Sequence, residues 1–218
     1  DGGVAQIFAN NGSVTVGGIT TLKASAFGGS VTGGASSGAA LGGNTSLFTQ
    51  GTGQVVLNQD TFMIAQALSG NVDSGGGNAA ASTGGSVVIN ASGAGSLIRV
   101  NGGLLANATA GVGSAVTGTI GDALGGSALI DSVSGTVTVT GGVSLDATAF
   151  GGNSTLTGNG GNATGGRTAV VVGGAGGASS NLGSTLTMVA HGFAGSAQTG
   201  NGGTGLGGLS EIGTIGVI

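Results

Sequence analysis

Apolar and polar residues alternate along several short stretches of the chain. The segments "GSVTV" (12–16), "GQVVL" (53–57) and "GTVTV" (135–139) carry an aliphatic side chain at every second position. A period of two is typical of a β-strand that buries one face, so we expect strands with these side chains pointing inward. The predicted inward residues are Val14, Val16, Val55, Leu57, Val137 and Val139. Glycine recurs every few residues and costs about 1 kcal/mol each time in a helix interior, which predicts essentially no helix.

These stretches belong to a repeat of 40 to 42 residues that runs through the whole chain. Gly-Gly pairs followed by a short apolar run begin at positions 2, 42, 84, 125, 165 and 207. A tripeptide that begins with alanine keeps nearly the same period: Ala24-Ser25-Ala26, Ala65-Gln66-Ala67, Ala106-Asn107-Ala108, Ala147-Thr148-Ala149 and Ala190-His191-Gly192. Two markers in phase predict a single repetitive domain over residues 1–218. Its repeats are 2–41, 42–83, 84–124, 125–164 and 165–206, with a partial sixth repeat at 207–218.

Equivalent positions in successive repeats carry similar side chains. Five residues after each Gly-Gly start there is an aliphatic residue: Ile7, Leu47, Ile89, Ile130, Val170 and Ile212. Two residues before each tripeptide there is an apolar residue: Leu22, Met63, Leu104, Leu145 and Met188. One residue past the tripeptide there is a bulky apolar group, which we place in a core-like column: Phe27, Leu68, Phe150 and Phe193, with Thr109 in the third repeat. If the chain winds as a coil, like residues stack, which predicts an all-β parallel β-solenoid (β-helix).

The sequence leaves two arrangements open for each repeat. The two halves of a repeat look alike, as in 129–142 and 144–161, so we favour two unequal turns per repeat. One large coil with an extra Gly-rich layer is the alternative. With strands about 4.8 Å apart, five repeats would rise about 48 Å in the first case and about 24 Å in the second. In either case, glycine suits sharp corners with positive φ and close approach of two backbones.

Composition and charge narrow the function. The chain has 55 Gly, no Pro and no Cys, 39% hydrophobic residues and a net charge of −4. It is too apolar for a disordered linker. The three cations, Lys23, Arg99 and Arg167, are too few for a nucleic-acid partner, and no run of 18 apolar residues predicts a membrane-spanning helix. The absence of Cys excludes disulfides and thiolate metal sites. The chain opens at Asp1 without a signal peptide, which suggests an excised or processed piece.

The candidates for catalytic and cofactor chemistry are weak. His191 occupies a column otherwise filled by polar residues, which predicts an outward polar position rather than a base or ligand. "GASSG" matches a nucleophile elbow at Ser36, but the elbow needs a helix after it. "VVVGGAGGASS" (170–180) places Gly174 and Gly176 as in a dinucleotide-binding loop, but Ser179 stands where the third glycine is needed. We therefore predict no catalytic residue, no cofactor and no phosphate site.

Calcium binding and ice binding are two further solenoid functions. The acids are scattered and form no array: Asp1, Asp60, Asp73, Asp122, Asp131, Asp146 and Glu211. We therefore predict no metal site, with a single Ca²⁺ ion near Asp73 or Asp122 as the alternative. Ice binding needs a threonine ladder, and the outward column after Val14 is broken: Thr15, Val56, Arg99 and Thr138.

Two features bear on assembly. The column before the tripeptides is Lys23, Ile64, Leu105, Asp146 and Val189, which alternation places outward. Its three aliphatic members would form an exposed apolar stripe that can mark a lateral contact. Neither end of the repeat array carries a polar cap, and uncapped solenoid ends favour end-to-end stacking.

The segment "GTVTVTGGVSLDATAFGGNSTLTGNGGNATGG" (135–166) resembles the repeats of large bacterial surface proteins. These are filamentous-haemagglutinin-like and autotransporter-type adhesins with β-helical stalks, and related giant Gly-rich β-strand-repeat proteins. The resemblance covers the whole chain as one of pattern and composition. It implies an exported, extracellular protein at the bacterial cell surface that serves as a stalk, fibre or adhesive layer, and it carries over no catalytic residue.

We therefore expect a non-catalytic structural segment of a bacterial cell-surface fibre or adhesin, whose partner is itself, end to end. The alternative is a solenoid binding module for glycan or a host surface, and after it a calcium-binding β-roll or an ice-binding protein. Outward aromatic residues would favour a binding module, whereas the phenylalanines that can be placed are predicted in core-like columns.

Overall fold

The computed structural model describes residues 1–174 and 177–215. Over these residues the chain is built from 28 β-strands joined by turns, and it contains no helix. Every strand pairs in parallel with the equivalent strand of the next repeat, for example Val4–Asn10 with Asn44–Gln50 and then with Ser86–Ser92. The all-β parallel β-solenoid that the sequence predicts is therefore confirmed.

The strands follow one order in each repeat. Coil 1 contains β1 (Val4–Asn10), β2 (Ser13–Val16), β3 (Thr20–Lys23), β4 (Ala26–Phe27) and β5 (Ala40–Leu41). Coil 2 contains β6 (Asn44–Gln50), β7 (Gln54–Leu57), β8 (Thr61–Ile64), β9 (Ala67–Leu68) and β10 (Ser82–Thr83). Coil 3 contains β11 (Ser86–Ser92), β12 (Leu97–Val100), β13 (Leu104–Asn107), β14 (Ala110–Gly111), β15 (Ala115–Thr117) and β16 (Ala123–Leu124).

Coils 4 and 5 continue the same order. Coil 4 contains β17 (Ser127–Ser132), β18 (Thr136–Val139), β19 (Val143–Asp146), β20 (Ala149–Phe150), β21 (Ser154–Thr157) and β22 (Ala163–Thr164). Coil 5 contains β23 (Arg167–Gly173), β24 (Ser179–Leu182), β25 (Leu186–Val189), β26 (Gly192–Phe193) and β27 (Gly205–Leu206), and β28 (Leu209–Ile215) opens a sixth.

Each repeat makes one large coil, so the favoured expectation of two unequal turns per repeat is wrong. The sheet orders are β1-β6-β11-β17-β23-β28, β2-β7-β12-β18-β24, β25-β19-β13-β8-β3, β26-β20-β14-β9-β4 and β27-β22-β16-β10-β5, with β15-β21 as a sixth, two-stranded sheet. The two halves that look alike belong to different sheets of one coil and do not pair. Five coils at about 4.8 Å each rise about 24 Å.

The first three strands of each coil enclose the main hydrophobic core. Leu47, Ile89 and Ile130 form one ladder in it and are fully buried. The predicted inward residues also lie there, with Val55, Leu57, Val137 and Val139 at most 1% exposed. Val14 and Val16 are only half-buried because coil 1 has a neighbouring coil on one side alone.

Outside this core, the short strands β4 and β5 and their equivalents in the other coils lie close together and form a thinner part of the solenoid, which we call the waist. The short sheets of β4 and β5 face each other through alanine, and the alanines form small clusters: Ala26, Ala40 and Ala67, and Ala123, Ala149 and Ala163. Beyond the waist a small apolar cluster fills the tip: Val72, Ala79, Ala115 and Ile120. Only small side chains face inward here, alanine and in coil 2 Ser82, because the two sheets lie so close together.

Glycine makes this close approach possible. The amide of Gly126 donates a 2.8 Å hydrogen bond to the carbonyl of Ala108 on the opposite side of the waist. A Cβ at Gly126 would lie 2.7 Å from the carbonyl carbon of Gly84, too near for any side chain. Gly85 and Gly166 donate the equivalent 2.7 Å hydrogen bonds to Ala65 and Ala147. The Gly-Gly pairs therefore serve backbone contact, whereas positive φ occurs at other corners, such as Gly51 (φ 63°) and Asn11 (φ 54°).

The third repeat pairs two residues away from the predicted register. Ala106 pairs with Met63 and Leu145, while Leu104 pairs with Thr61 and Val143. The expected column of Leu22, Met63, Leu104, Leu145 and Met188 therefore has Ala106 in the third place. Ala106, Ala108 and Ala110 form two overlapping tripeptides that both begin and end with alanine. The second of them, 108–110, is the one that pairs with the tripeptides of the neighbouring coils. A shift of two residues leaves every side chain on its predicted face, since the strand period is two.

Candidate functional site

His191 lies in the polar column where the sequence places it. Its backbone carbonyl accepts a 2.8 Å hydrogen bond from the amide of Ala149, so it pairs with coil 4 as expected. The side chain is exposed, and its ring stands edge-on to Phe193 with 5.5 Å between centroids. The third member of this column is Thr109 rather than Asn107, because of the shift in coil 3. The contact of His191 is thus an aromatic one on the outer surface.

Ser36 and the glycine segment show no arrangement for nucleophilic or phosphate chemistry. Ser36 is exposed in the turn between β4 and β5, and the short strand β5, not a helix, follows it. Gly174 follows β23 with φ 95°, and Gly176 lies outside the described residues. Ser179 begins β24, a strand that pairs with β18. The strand-to-helix turn that either motif requires is not formed at these described positions.

Several carboxylates bind neighbouring coils. Asp60 accepts a 2.7 Å hydrogen bond from the amide of Gly103, and Asp131 accepts one of 3.1 Å from the side chain of Asn90. Asp122 accepts a 3.0 Å bond from the side chain of Asn162, and Glu211 forms an ion pair with Arg167. Asp73 is exposed in a depression that Asn71, Ser114 and Thr155 help to line. Over residues 1–174 and 177–215, no three His, Cys, Asp or Glu side chains come together as a metal site would require.

Asparagine caps join successive coils in the segment between the short fourth strand and the short last strand of each coil, which we call the return path (69–81 in coil 2 and 151–162 in coil 4). The side-chain oxygen of Asn153 accepts a 2.8 Å hydrogen bond from the amide of Ser196, one coil away. Equivalent bonds from amide to Asn oxygen join Ser114 to Asn71, Thr119 to Asn78, Asn201 to Asn159 and Thr204 to Asn162. Sequence reasoning missed these residues, although asparagine recurs at equivalent places in the return path.

The outward column of the second sheet is confirmed. Thr15, Val56, Arg99 and Thr138 pair in this order and continue to Asn181. Valine and arginine therefore interrupt the threonine ladder at two consecutive coils, and no flat threonine face is formed in this column.

The phenylalanines of the waist point outward, so their predicted place in core-like columns is wrong. Phe27, Leu68, Gly111, Phe150 and Phe193 pair in this order, and we call this column the aromatic stripe. Phe27 is 64% exposed and Phe150 is 48% exposed. The rings of Phe150 and Phe193 stack with 5.4 Å between centroids and an interplanar angle of 12°. Alanine or, beside Phe193, glycine occupies the neighbouring inward position, because the waist has no room for a ring.

A second outward column runs beside the aromatic stripe, and we call it the charged column. Its members are Lys23, Ile64, Asn107, Asp146 and Val189. The predicted column had Leu105 in place of Asn107; Leu105 pairs instead with Phe62 and Ser144. Ile64, Leu105 and Val189 are half-buried, so they do not form the exposed apolar stripe that the sequence predicted. The Lys23 ammonium lies 5.8 Å from the centre of the Phe27 ring, which joins the two columns into one surface.

The comparisons with known proteins give no identity. No family model, no curated protein and no solved structure matches the chain. No helix of sufficient length and apolar character to cross a membrane occurs in the part of the chain that the structure describes.

Proposed function

We propose that the chain is a structural segment of a bacterial cell-surface fibre or adhesin, which acts without catalysis and continues or associates end to end. The observation that carries this proposal is the register of the five main sheets, which repeat coil after coil in the same direction. Among residues 1–174 and 177–215, the edge strands β1 and β28 each have a ladder partner on one side. Such edges are templates for further parallel strands, from the same polypeptide or from a second one.

The placement of the polar groups supports a non-catalytic role. Asp60, Asp122, Asp131 and the Arg167–Glu211 pair each bind a neighbouring coil, and the asparagine caps do the same. Catalysis needs a nucleophile, base or metal held together with an orienting partner. Polar side chains that join successive coils instead suit a rod that resists bending and unwinding.

A binding module remains the second candidate, and the aromatic stripe is the observation that favours it. Exposed aromatic residues in a row are uncommon on a monomer surface and mark sites of contact. In the polar column beside the stripe, Ser25 and Gln66 are half-buried and Thr148 is buried, whereas His191 is exposed next to Phe193. Aromatic rings with polar neighbours can bind glycans or the surface of another protein.

Electron microscopy of the purified chain, with a polysaccharide pull-down in parallel, tests the first proposal against the second. We expect thin rods whose length grows with protein concentration, in multiples of about 24 Å. Particles that stay one chain long at every concentration, together with retention on insoluble cellulose or chitin, would favour the binding module and contradict end-to-end association.

A further inference from the structure

The aromatic stripe and the charged column form a continuous surface on one side of the solenoid. Residues 21, 23, 25 and 27 of coil 1 alternate with buried or half-buried residues and therefore point to the same side. The contact of Lys23 with the Phe27 ring spans this surface in coil 1, and the contact of His191 with Phe193 does so in coil 5. Each of the five coils thus adds one row of four outward-facing positions, although Thr109, Gly111 and Thr148 are buried by their neighbours.

This surface has very few charges. Among its twenty outward positions, the groups with a full charge at neutral pH are Lys23 in coil 1 and Asp146 in coil 4. They are three coils apart, about 14 Å along the axis, so they do not pair within one chain. The opposite charges sit in the same column, and a second copy of the same surface in reverse order would bring each of them onto the other.

We propose that a second copy of this chain packs antiparallel against this surface. A two-fold axis perpendicular to the solenoid axis, in the plane of the contact, keeps every column opposite itself and reverses the order of the coils. With coil 1 opposite coil 4, Lys23 of each copy meets Asp146 of the other. Phe27 then meets Phe150.

The remaining coils are compatible with the same register. Coil 2 then lies opposite coil 3, so Leu68 meets the side-chain-free Gly111 of the second copy. The polar column adds no contact of its own in this register, because Thr109, Thr148 and the hydroxyl of Ser25 are buried within their own chain. No like charges meet, and no charge faces a phenylalanine of the other copy. The pattern of charge is thus self-complementary in this one direction.

The size of the surface predicts a weak contact. A phenylalanine buries about 150–250 Å² in full, so Phe27, Phe150 and Leu68, which are in contact in this register, offer about 300 Å² in each copy. The total of about 600 Å² from these side chains is below the area of a stable interface, which implies a weak, reversible dimer for five coils. Longer arrays of the same repeat would gain strength through the number of coils in contact.

The stacked rings favour a second copy over a sugar chain. Phe150 and Phe193 turn their ring faces toward each other, so the flat platform that a sugar ring needs is already covered. A strongly charged partner would also find little to pair with on this side. This lateral contact is separate from the end-to-end association proposed above, because it uses the side of the solenoid and not its edge strands.

A charge-swap series in sedimentation equilibrium tests the proposal on the full chain. We expect concentration-dependent dimers of the wild type. Lys23→Glu and Asp146→Lys should each weaken dimerisation about tenfold, since each places like charges face to face. The double variant restores opposite charges and should dimerise within about threefold of the wild type. A general loss of structure in Asp146→Lys would not be repaired by Lys23→Glu, so the rescue distinguishes pairing from misfolding.

Two phenylalanine variants provide a matched pair. Phe150→Ser should weaken the dimer at least about tenfold, because it removes an aromatic contact twice in the symmetric pair. Phe8→Ser is the control: Phe8 is 46% exposed and stacks on Phe48 with 5.4 Å between centroids, but it lies on the outer face of the first sheet. It should leave the dimer unchanged. Equal effects of the two variants would overturn the proposal.

The single lysine of the chain allows a direct test of the register. A carbodiimide joins an amine to a carboxylate only when they touch, so the Lys23 peptide should be recovered linked to the Asp146 peptide by mass spectrometry. A chain that stays monomeric at millimolar concentration would overturn the proposal. So would retention on cellulose or chitin that depends on Phe150, because a sugar would then be the occupant. Oligomers that grow in length but ignore all these variants would leave end-to-end association standing and refute the lateral contact.

Discussion

Replacing Gly126 with alanine tests whether the Gly-Gly pairs hold the waist together. Gly126 lies immediately before β17, and its amide donates to the carbonyl of Ala108 at 2.8 Å. The next amide, that of Ser127, donates to the carbonyl of Gly85 at 2.9 Å. A methyl group at Gly126 has no free space, because the backbones of coil 3 and of the opposite side of the waist already touch this position.

The size of the effect follows from these contacts. The new Cβ would lie 2.7 Å from the carbonyl carbon of Gly84, whereas non-bonded carbons lie about 3.5–4.0 Å apart. The backbone must move by about 1 Å, which disrupts both hydrogen bonds. An unsatisfied group costs about 1–3 kcal/mol, so we expect a loss of about 3 kcal/mol in the free energy of unfolding. For a chain of this size that corresponds to a fall of about 6–12 °C in Tm.

The assay is urea unfolding followed by circular dichroism, with a thermal scan of the same samples. Gly29→Ala is the matched control, because a Cβ at Gly29 meets nothing within 4 Å and its φ is not positive. The control should be unchanged or up to about 1 kcal/mol more stable, since alanine restricts the unfolded chain. If Gly126→Ala is as stable as Gly29→Ala, then the close approach of the two backbones at the waist is not real.

Two other substitutions test the core and the asparagine caps. Ile89→Ala in the central coil should lower the free energy of unfolding by about 3 kcal/mol in urea unfolding, because it removes a fully buried side chain from the main ladder. Leu124→Ala, at a position that is 45% exposed, should cost less than about 1 kcal/mol, and equal losses would contradict the assignment of the core. Asn153→Ala should cost about 1 kcal/mol by leaving the Ser196 amide without its acceptor. Asn153→Asp keeps the acceptor and should be less destabilising; the reverse order in the same unfolding assay would refute the cap.

The period and the buried face could be predicted from the sequence. Alternation alone places Val55 and Val137 inward, and both are fully buried. Alternation succeeds here because the first three strands of each coil have the main hydrophobic core on one side and solvent on the other. The column of Ile89 and Ile130 was predicted because the same type of side chain recurs at the same distance from each Gly-Gly pair.

The number of coils per repeat could not be predicted. Alternation determines which way a side chain points, but it does not identify the strand that pairs beside it. The similar halves of the fourth repeat both consist of short strands and glycine corners, and they occupy different faces of one coil. Which strand pairs beside another depends on where one coil ends and the next begins. The backbone hydrogen bonds of the Gly-Gly pairs across the waist determine that point.

The aromatic stripe was missed although the sequence contains its signal. Phe27 follows Ala26, and Ala26 continues the inward series through Leu22 and Ala24, so the same alternation places Phe27 outward. The hydrophobic character of phenylalanine favours a buried position, whereas the alternation places the ring outward. The physical reason for the exposure is the narrow waist, where alanine and glycine fill the space between two sheets.

The distance between two spin labels at positions 15 and 181 tests the one-coil-per-repeat solenoid most directly. Thr15 and Asn181 lie in one outward ladder, four coils apart, and both are exposed. The chain has no cysteine, so Thr15→Cys and Asn181→Cys can be labelled without other changes. We predict a narrow distribution centred at about 19 Å between the backbone positions, or four strand spacings. A distance of about 38 Å would indicate two coils per repeat, and it would contradict the account.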